Sequence, residues 1–128
     1  MPFVRIDMVA GRYDAERRAA LGDAVYQALR SIGVPEGDRF QVLTEKPQSE
    51  LVYDRAYLGI ERSDGFVAIQ ITLNAGRTLQ QKRALYRAIA DGLAAHGVRR
   101  QDVLINLVET AKENWSFGNG EAQYAEGA

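Results

Sequence analysis

The chain has 128 residues, 46% of them hydrophobic, with 16 Lys and Arg against 17 Asp and Glu, a formal charge of -1, no Cys and one His. A chain of this length buries roughly two thirds of the surface it exposes when unfolded, so a core forms without staples; lacking Cys and with His96 alone, it has no Cys/His zinc centre, iron–sulfur cluster, thiol nucleophile or disulfide framework. Interspersed charges of both signs give no basic footprint for nucleic acid or an anionic membrane, and apolar runs such as Gly65 to Ile69 are far too short for a membrane span or a signal-peptide core, so the expected address is the cytoplasm.

Pro2 to Val9 sets Phe3, Arg5 and Asp7 against Val4, Ile6 and Met8, the period of a strand. Asp14 to Ile32 lines up Leu21, Val25, Leu29 and Ile32 on one helical face, and Gly33 follows where a helix end favours positive φ. Arg39 to Glu45 returns to strand composition. The stretch Lys46 to Asp64, with Pro47, Leu51-Val52-Tyr53 and Gly59, has room for a short strand or hairpin and is assigned no chemistry. A second strand, helix and strand follow: Phe66 to Leu73, a helix from Thr78 with Leu85, Ile89 and Leu93 facing the core, a stop at Gly97, and Asp102 to Thr110. Thr78 and Gln81 form a capping-box signature. The tail, Lys112 to Ala128, is rich in Gly and polar residues yet carries Trp115, Phe117 and Tyr124.

Sliding the sequence by 64 positions superposes Ala20, Leu21, Ala24, Leu29, Gly33, Val34, Asp38, Leu43 and Glu45 on Ala84, Leu85, Ala88, Leu93, Gly97, Val98, Asp102, Leu107 and Glu109. The chain reads as a tandem duplication with halves of about 1–64 and 65–128 in one domain, too few copies for a solenoid. Each half is a βαβ unit whose strands should run parallel. The predicted class is α+β, one sheet with two helices on one face. Such a sheet leaves its other face uncovered; an apolar open face, and therefore an oligomer, is expected.

Methionine is normally removed ahead of a proline, so Pro2 is expected to present a free secondary amine, able to act as a neutral base near pH 7 once burial or a nearby cation lowers its pKa. The plainer alternative is that Pro2 is simply a common second residue. Arg77, in Asn74-Ala75-Gly76-Arg77-Thr78, stands at a strand-to-helix junction suited to a carboxylate; otherwise it is a solvated loop arginine, and Arg12 occupies the matching place in the first half. Asp38 and Asp102 share one turn position, which favours a structural role unless Asp38 faces a pocket. Trp115, Phe117 and Tyr124 wall a small pocket or plug a subunit contact. His96 reads as a surface residue, Glu45 and Glu109 as weak acid/base candidates, and Gly118-Asn119-Gly120 is too short for a phosphate loop.

Pro after the initiator Met, two tandem βαβ units, Gly76-Arg77-Thr78 before Gln80-Gln81-Lys82, Val34 to Val42, Leu107-Val108-Glu109, and Asn114-Trp115-Ser116-Phe117-Gly118-Asn119-Gly120 with Tyr124 together resemble the tautomerase superfamily, and within it the malonate semialdehyde decarboxylase group. The resemblance runs over nearly the whole chain and implies Pro2 as catalytic amine, Arg77 as binder of the substrate carboxylate, Asp38 as the residue that orients or activates water, Trp115, Phe117 and Tyr124 as the hydrophobic wall, a homotrimer, and no metal or other cofactor. Where that group carries a second arginine shortly before the one matching Arg77, this chain has Asn74 and one residue more in the loop, and Tyr124 stands where the group has Phe; Asn74 is counted with the substrate-binding residues. A single arginine argues against decarboxylation of malonate semialdehyde, and Arg77 with a dry aromatic wall lowers an amine's pKa while Asp38 opposes them, which favours a tautomerase: Pro2 as base moving a proton between oxygen and carbon of a small 2-oxo acid. The alternative is a decarboxylase or hydratase on a β-keto acid, with a cationic Pro2 and Asp38 activating water. A third reading is a non-enzymatic binding module on the same scaffold.

Overall fold

The computed structural model describes residues 1–126. Four strands, β1 (Phe3–Val9), β2 (Phe40–Lys46), β3 (Val67–Asn74) and β4 (Val103–Thr110), form one sheet in the order β2-β1-β3-β4. The helices α1 (Ala15–Ser31) and α2 (Leu79–Ala94) cover one face, and a four-residue helix, α3 (Gln123–Glu126), lies in the tail. β1 runs parallel to β2 and β3 to β4, as the crossover helices require, while β1 and β3 meet antiparallel at the centre. Ile6 lies directly opposite Ile69, its own counterpart at the spacing that relates Phe3 to Phe66. The two copies are thus joined about a pseudo-two-fold axis through the middle of the sheet, and the predicted α+β class holds.

The helix ends follow from their residues. Asp14 caps α1 by accepting from Arg17 N at 2.8 Å, and Thr78 and Gln81 make both bonds of the capping box, at 2.8 and 3.1 Å. Gly33 (φ 103°) and Gly97 (φ 85°) supply the left-handed turn after each helix that lets Val34 N and Val98 N bond back to Leu29 O and Leu93 O, both at 3.1 Å. Val4, Ile6, Met8, Ile69, Ile71 and Leu73 of the two central strands are buried against Leu21, Val25 and Leu29 of α1 and Leu85, Ile89 and Leu93 of α2. Each such side chain contributes about 1.5–3 kcal/mol.

Two expectations are corrected. Residues 46–64 hold no strand or hairpin beyond the end of β2 at Lys46; they form the 3-10 turns Gln48–Glu50 and Tyr57–Gly59, packed through Tyr53, which stacks on Phe66 at 4.1 Å and donates to Ser63 O at 2.7 Å. Nor is the uncovered sheet face uniformly apolar. The side chains opposite the core in β1 are Phe3, Arg5 and Asp7, so Arg5 and Asp7 join Gln70 and Asn106 in a polar centre, with Phe40, Val42, Leu104 and Val108 around it. Gln70 donates to Asn106 at 3.0 Å across β3 and β4. The alternation of β1 already contained this, since a face presenting Arg5 and Asp7 is not an apolar one.

Candidate functional site

β1 is flanked by β2 and β3, and the register decides what surrounds its first residues. Phe3 pairs with Phe40 on one side and Thr72 on the other. Two residues back along that register, the chain start falls beside Asp38, just before β2, and beside Asn74, the last residue of β3. Pro2 is buried there.

Asp38 is 9% exposed, and neither carboxylate oxygen accepts a hydrogen bond from the described residues. A buried carboxylate without donors costs several kcal/mol unless an opposite charge compensates it. The charge in reach is the amine at the chain start: Met1 N lies 3.3 Å from Asp38 Oδ2, an ion pair without hydrogen-bond alignment. The side chain of Met1 runs to Tyr124, whose hydroxyl contacts the Met1 Sδ. Burial, reinforced by the negative charge of Asp38, raises the Tyr124 phenol above its ordinary range, so it stays neutral and keeps its proton to donate.

From Tyr124 an aromatic wall continues to the end of β3. Tyr124 meets Phe117 at 5.1 Å, Phe117 meets Phe40 at 5.9 Å and stacks on Trp115 at 5.6 Å with the rings 6° apart. Trp115 Nε1 donates to Asn74 Oδ1 at 2.8 Å, and Arg77 Nη1 donates to the Asn74 carbonyl at 3.2 Å. Asp38, the chain start, Tyr124, Phe117, Trp115, Asn74 and Arg77 therefore form one continuous arc, polar at both ends and aromatic between. Arg77 is half-buried and pairs with no carboxylate among the described residues. Such an arc can hold a small carboxylic acid against a dry wall while a charged amine and carboxylate act on it.

The remaining candidates lie elsewhere. Glu45 bonds Gly11 N at 2.9 Å and pairs with Arg18 at 3.4 Å, and its counterpart Glu109 pairs with Lys82 at 3.0 Å; both tie a strand end to a helix. Asp102 is 1% exposed and accepts from Ser63 N at 2.7 Å and Ser63 Oγ at 2.6 Å. His96 is exposed beyond the end of α2. Sequence reasoning missed Phe40, which completes the wall. Its signal was available in the outward position it shares with Phe3 across β1 and β2.

A sequence profile described as a tautomerase enzyme matches residues 38–118, and a second of the same description matches residues 2–54. "Probable tautomerase YusQ" of Bacillus subtilis (strain 168) is 44% identical over 128 residues, 98% of this chain and 100% of that one. The crystal structure of FG41 malonate semialdehyde decarboxylase inhibited by 3-bromopropiolate is similar at a TM-score of 0.92 and 41% identity, covering 98% of this chain and 95% of that chain. A second malonate semialdehyde decarboxylase, described with decarboxylase and hydratase activities, gives 0.90 at 31% identity over 98% and 97% of the two chains. Among the described residues no helix is long and apolar enough to cross a membrane. On its sequence, its sheet order and the profile that spans most of its length, this chain belongs to the tautomerase enzyme family.

Proposed function

We propose that the protein is an amino-terminal-proline enzyme of small 2-oxo or β-keto acids, in which Pro2, once Met1 is removed, works as a cationic acid beside Asp38. The observation that carries this is the Asp38 carboxylate, buried, without a hydrogen-bond donor among the described residues and 3.3 Å from Met1 N, one residue before the nitrogen that processing would expose. A carboxylate facing the chain start would favour the protonated form of an amine exposed there. Arg77, the cation that would act the other way, is turned toward the Asn74 carbonyl. In this reading Arg77 and Asn74 hold the substrate carboxylate or its neighbouring oxygen, and Trp115, Phe117 and Tyr124 exclude water. The Pro2 ammonium hydrogen-bonds the β-carbonyl oxygen, the electron pair of the bond to the carboxylate flows toward that carbonyl, carbon dioxide leaves, and the resulting enolate takes the Pro2 proton at carbon, after which water reprotonates the amine. For hydration, Asp38 orients the attacking water. No cofactor takes part in these steps. The similarity to two malonate semialdehyde decarboxylases supports this assignment of roles.

A second reading keeps the neutral Pro2 amine as a base that moves a proton between oxygen and carbon of an enol 2-oxo acid. The apolar wall beside the chain start and the similarity to a probable tautomerase favour it. The two readings separate in a 15N NMR titration of the Pro2 nitrogen in the processed protein, with turnover measured on malonate semialdehyde and on phenylenolpyruvate. A midpoint at or above that of a free α-amine with the first substrate turned over supports the acid; a depressed midpoint with only the second turned over supports the base. Retained Met1 in the intact mass of the purified protein, with neither substrate turned over, would overturn both, leaving a binding module on the same scaffold. Pro2→Ala is expected to keep the fold and lose turnover about 100-fold.

The reading includes a cytoplasmic homotrimer, in which copies of the chain cover the mixed face around Arg5, Asp7, Gln70 and Asn106. Light scattering on the purified protein should give a mass of about three times 14.2 kDa.

A further inference from the structure

The carboxylate of Asp38 accepts no hydrogen bond among the described residues, so none fixes its aim; its position is set by the turn that carries it. That turn is held from α1. Gly37 N donates to the Tyr26 hydroxyl at 2.9 Å, and Arg39 lies over the Tyr26 ring at 4.9 Å while its guanidinium pairs with Asp23 at 3.1 Å. One side chain thus grips the residues on both sides of Asp38. The second half of the molecule provides the internal control. Its turn has the same backbone bond, Asp102 N to Arg99 O at 2.9 Å against Asp38 N to Pro35 O at 3.2 Å. At the 64-residue spacing, however, Asp23, Tyr26 and Arg39 correspond to Arg87, Ala90 and Val103, so the grip is missing where Asp102 is bonded directly through Ser63.

We propose that Tyr26, with Arg39 stacked on it, is the positioning residue of the site: it fixes the Gly37-Asp38-Arg39 turn so that the otherwise unheld Asp38 carboxylate stays aimed at the amine of Pro2. The inference rests on the reading of Pro2 and Asp38 as a working pair. The groups facing the Asp38 carboxylate are the chain's amine and the Tyr124 phenol, whereas the charge of Arg39 is engaged with Tyr26 and Asp23. Tyr26 acts through the backbone and touches no reacting atom.

The test compares processed wild type, Asp38→Asn, Tyr26→Phe and Arg39→Gln by 15N titration of Pro2, turnover of malonate semialdehyde and thermal denaturation. Tyr26→Phe keeps the ring and removes only the hydroxyl; Arg39→Gln releases the other half of the grip and reports even if the first variant folds poorly. Asp38→Asn should lower the Pro2 midpoint, and both grip variants should lower it in the same direction by less. Their kcat should fall about tenfold with KM within about twofold of wild type, a misplacement effect rather than a loss of binding. If Asp38→Asn moves the midpoint and neither grip variant does, the positioning role is wrong while the Pro2 and Asp38 pair stands. If Asp38→Asn itself leaves the midpoint unchanged, the pair fails and the positioning role falls with it.

Discussion

Asp38 and Asp102 are repeat mates in the same turn before a strand, and both are buried, yet one is bonded on every side and the other on none. Asp102 accepts from the backbone and hydroxyl of Ser63, with Arg99 at 3.8 Å as an outer partner. The residue in front of it is Gly65, the counterpart of Pro2, and a Cβ built there would lie 3.2 Å from Asp102 Oδ2 and 2.9 Å from the Tyr13 hydroxyl. The second half has closed this corner with backbone and small side chains. The first half leaves its carboxylate facing an amine. A duplicated fold thus holds a fully bonded aspartate and an unsatisfied one at equivalent places, and what differs is the supply of hydrogen-bond donors.

The largest effect should come from removing the charge at each place. Asp38→Asn is expected to lower turnover about 100-fold or more without loss of thermal stability, because the wild-type carboxylate is buried and unsatisfied. Asp102→Asn should do the reverse, costing about 3 kcal/mol by leaving Ser63 donors facing an amide and spoiling a satisfied buried network. Paired kcat and melting measurements decide it; equal behaviour of the two variants would dissolve the distinction.

The loop arginines sharpen the same contrast. In the first half the Gly11 amide is held by Glu45, which also pairs with Arg18, and Arg12 sits beside the Tyr13 phenol. Arg77 in the second half is bonded only to the Asn74 carbonyl among the described residues and is linked to the aromatic wall through Asn74, which accepts from Trp115 Nε1. Arg77→Ala should raise KM for a small keto acid about tenfold with a smaller change in kcat, and Arg12→Ala should change neither. An unaltered KM in Arg77→Ala would take the carboxylate contact away from this residue.

Much of this architecture could be read in the residues, for physical reasons that differ between its parts. The alternation of β1, the four-residue spacing of Leu85, Ile89 and Leu93, and the Gly33 and Gly97 stops are local signals, and the repeat doubled each of them. The same repeat obscured the site, because spacing alone makes Asp38 and Asp102 equivalent. Only the pairing of β1 with β2 on one side and with β3 on the other shows that Asp38 and Asn74 flank the chain start, and both pairings are long-range. Phe40 was overlooked for a like reason, since its partner Phe117 comes from the tail. The polar centre of the open face was legible in Arg5 and Asp7 but hidden by the general rule that an uncovered sheet face is apolar.

A smaller effect should separate the two corners by the latch alone. Ser63→Ala removes the hydroxyl that bonds Asp102 Oδ2 and receives the Gly65 amide at 3.1 Å, and should cost about 1–2 kcal/mol in chemical denaturation with turnover unchanged. A fall in turnover would mean the closed corner communicates with the open one.

The smallest expected effect concerns Tyr13, whose hydroxyl donates to Gly65 O at 2.6 Å across the closed corner. Burial, chiefly, raises this phenol above the usual 10.0, with the charge of Asp102 adding to it and Arg12 opposing. The folded state therefore keeps the proton at a pH where the unfolded chain has begun to lose it. Stability on this account is full below pH 10.0 and is lost as pH rises through the raised value, because the unfolded state then binds fewer protons than the folded one. Tyr13→Phe should cost about 1 kcal/mol at neutral pH through the lost hydrogen bond, yet decline less steeply than wild type above that pH. Denaturation midpoints of the two proteins taken from neutral to strongly alkaline pH should converge; parallel curves would show that the Tyr13 phenol ionises as freely in the folded corner as in water.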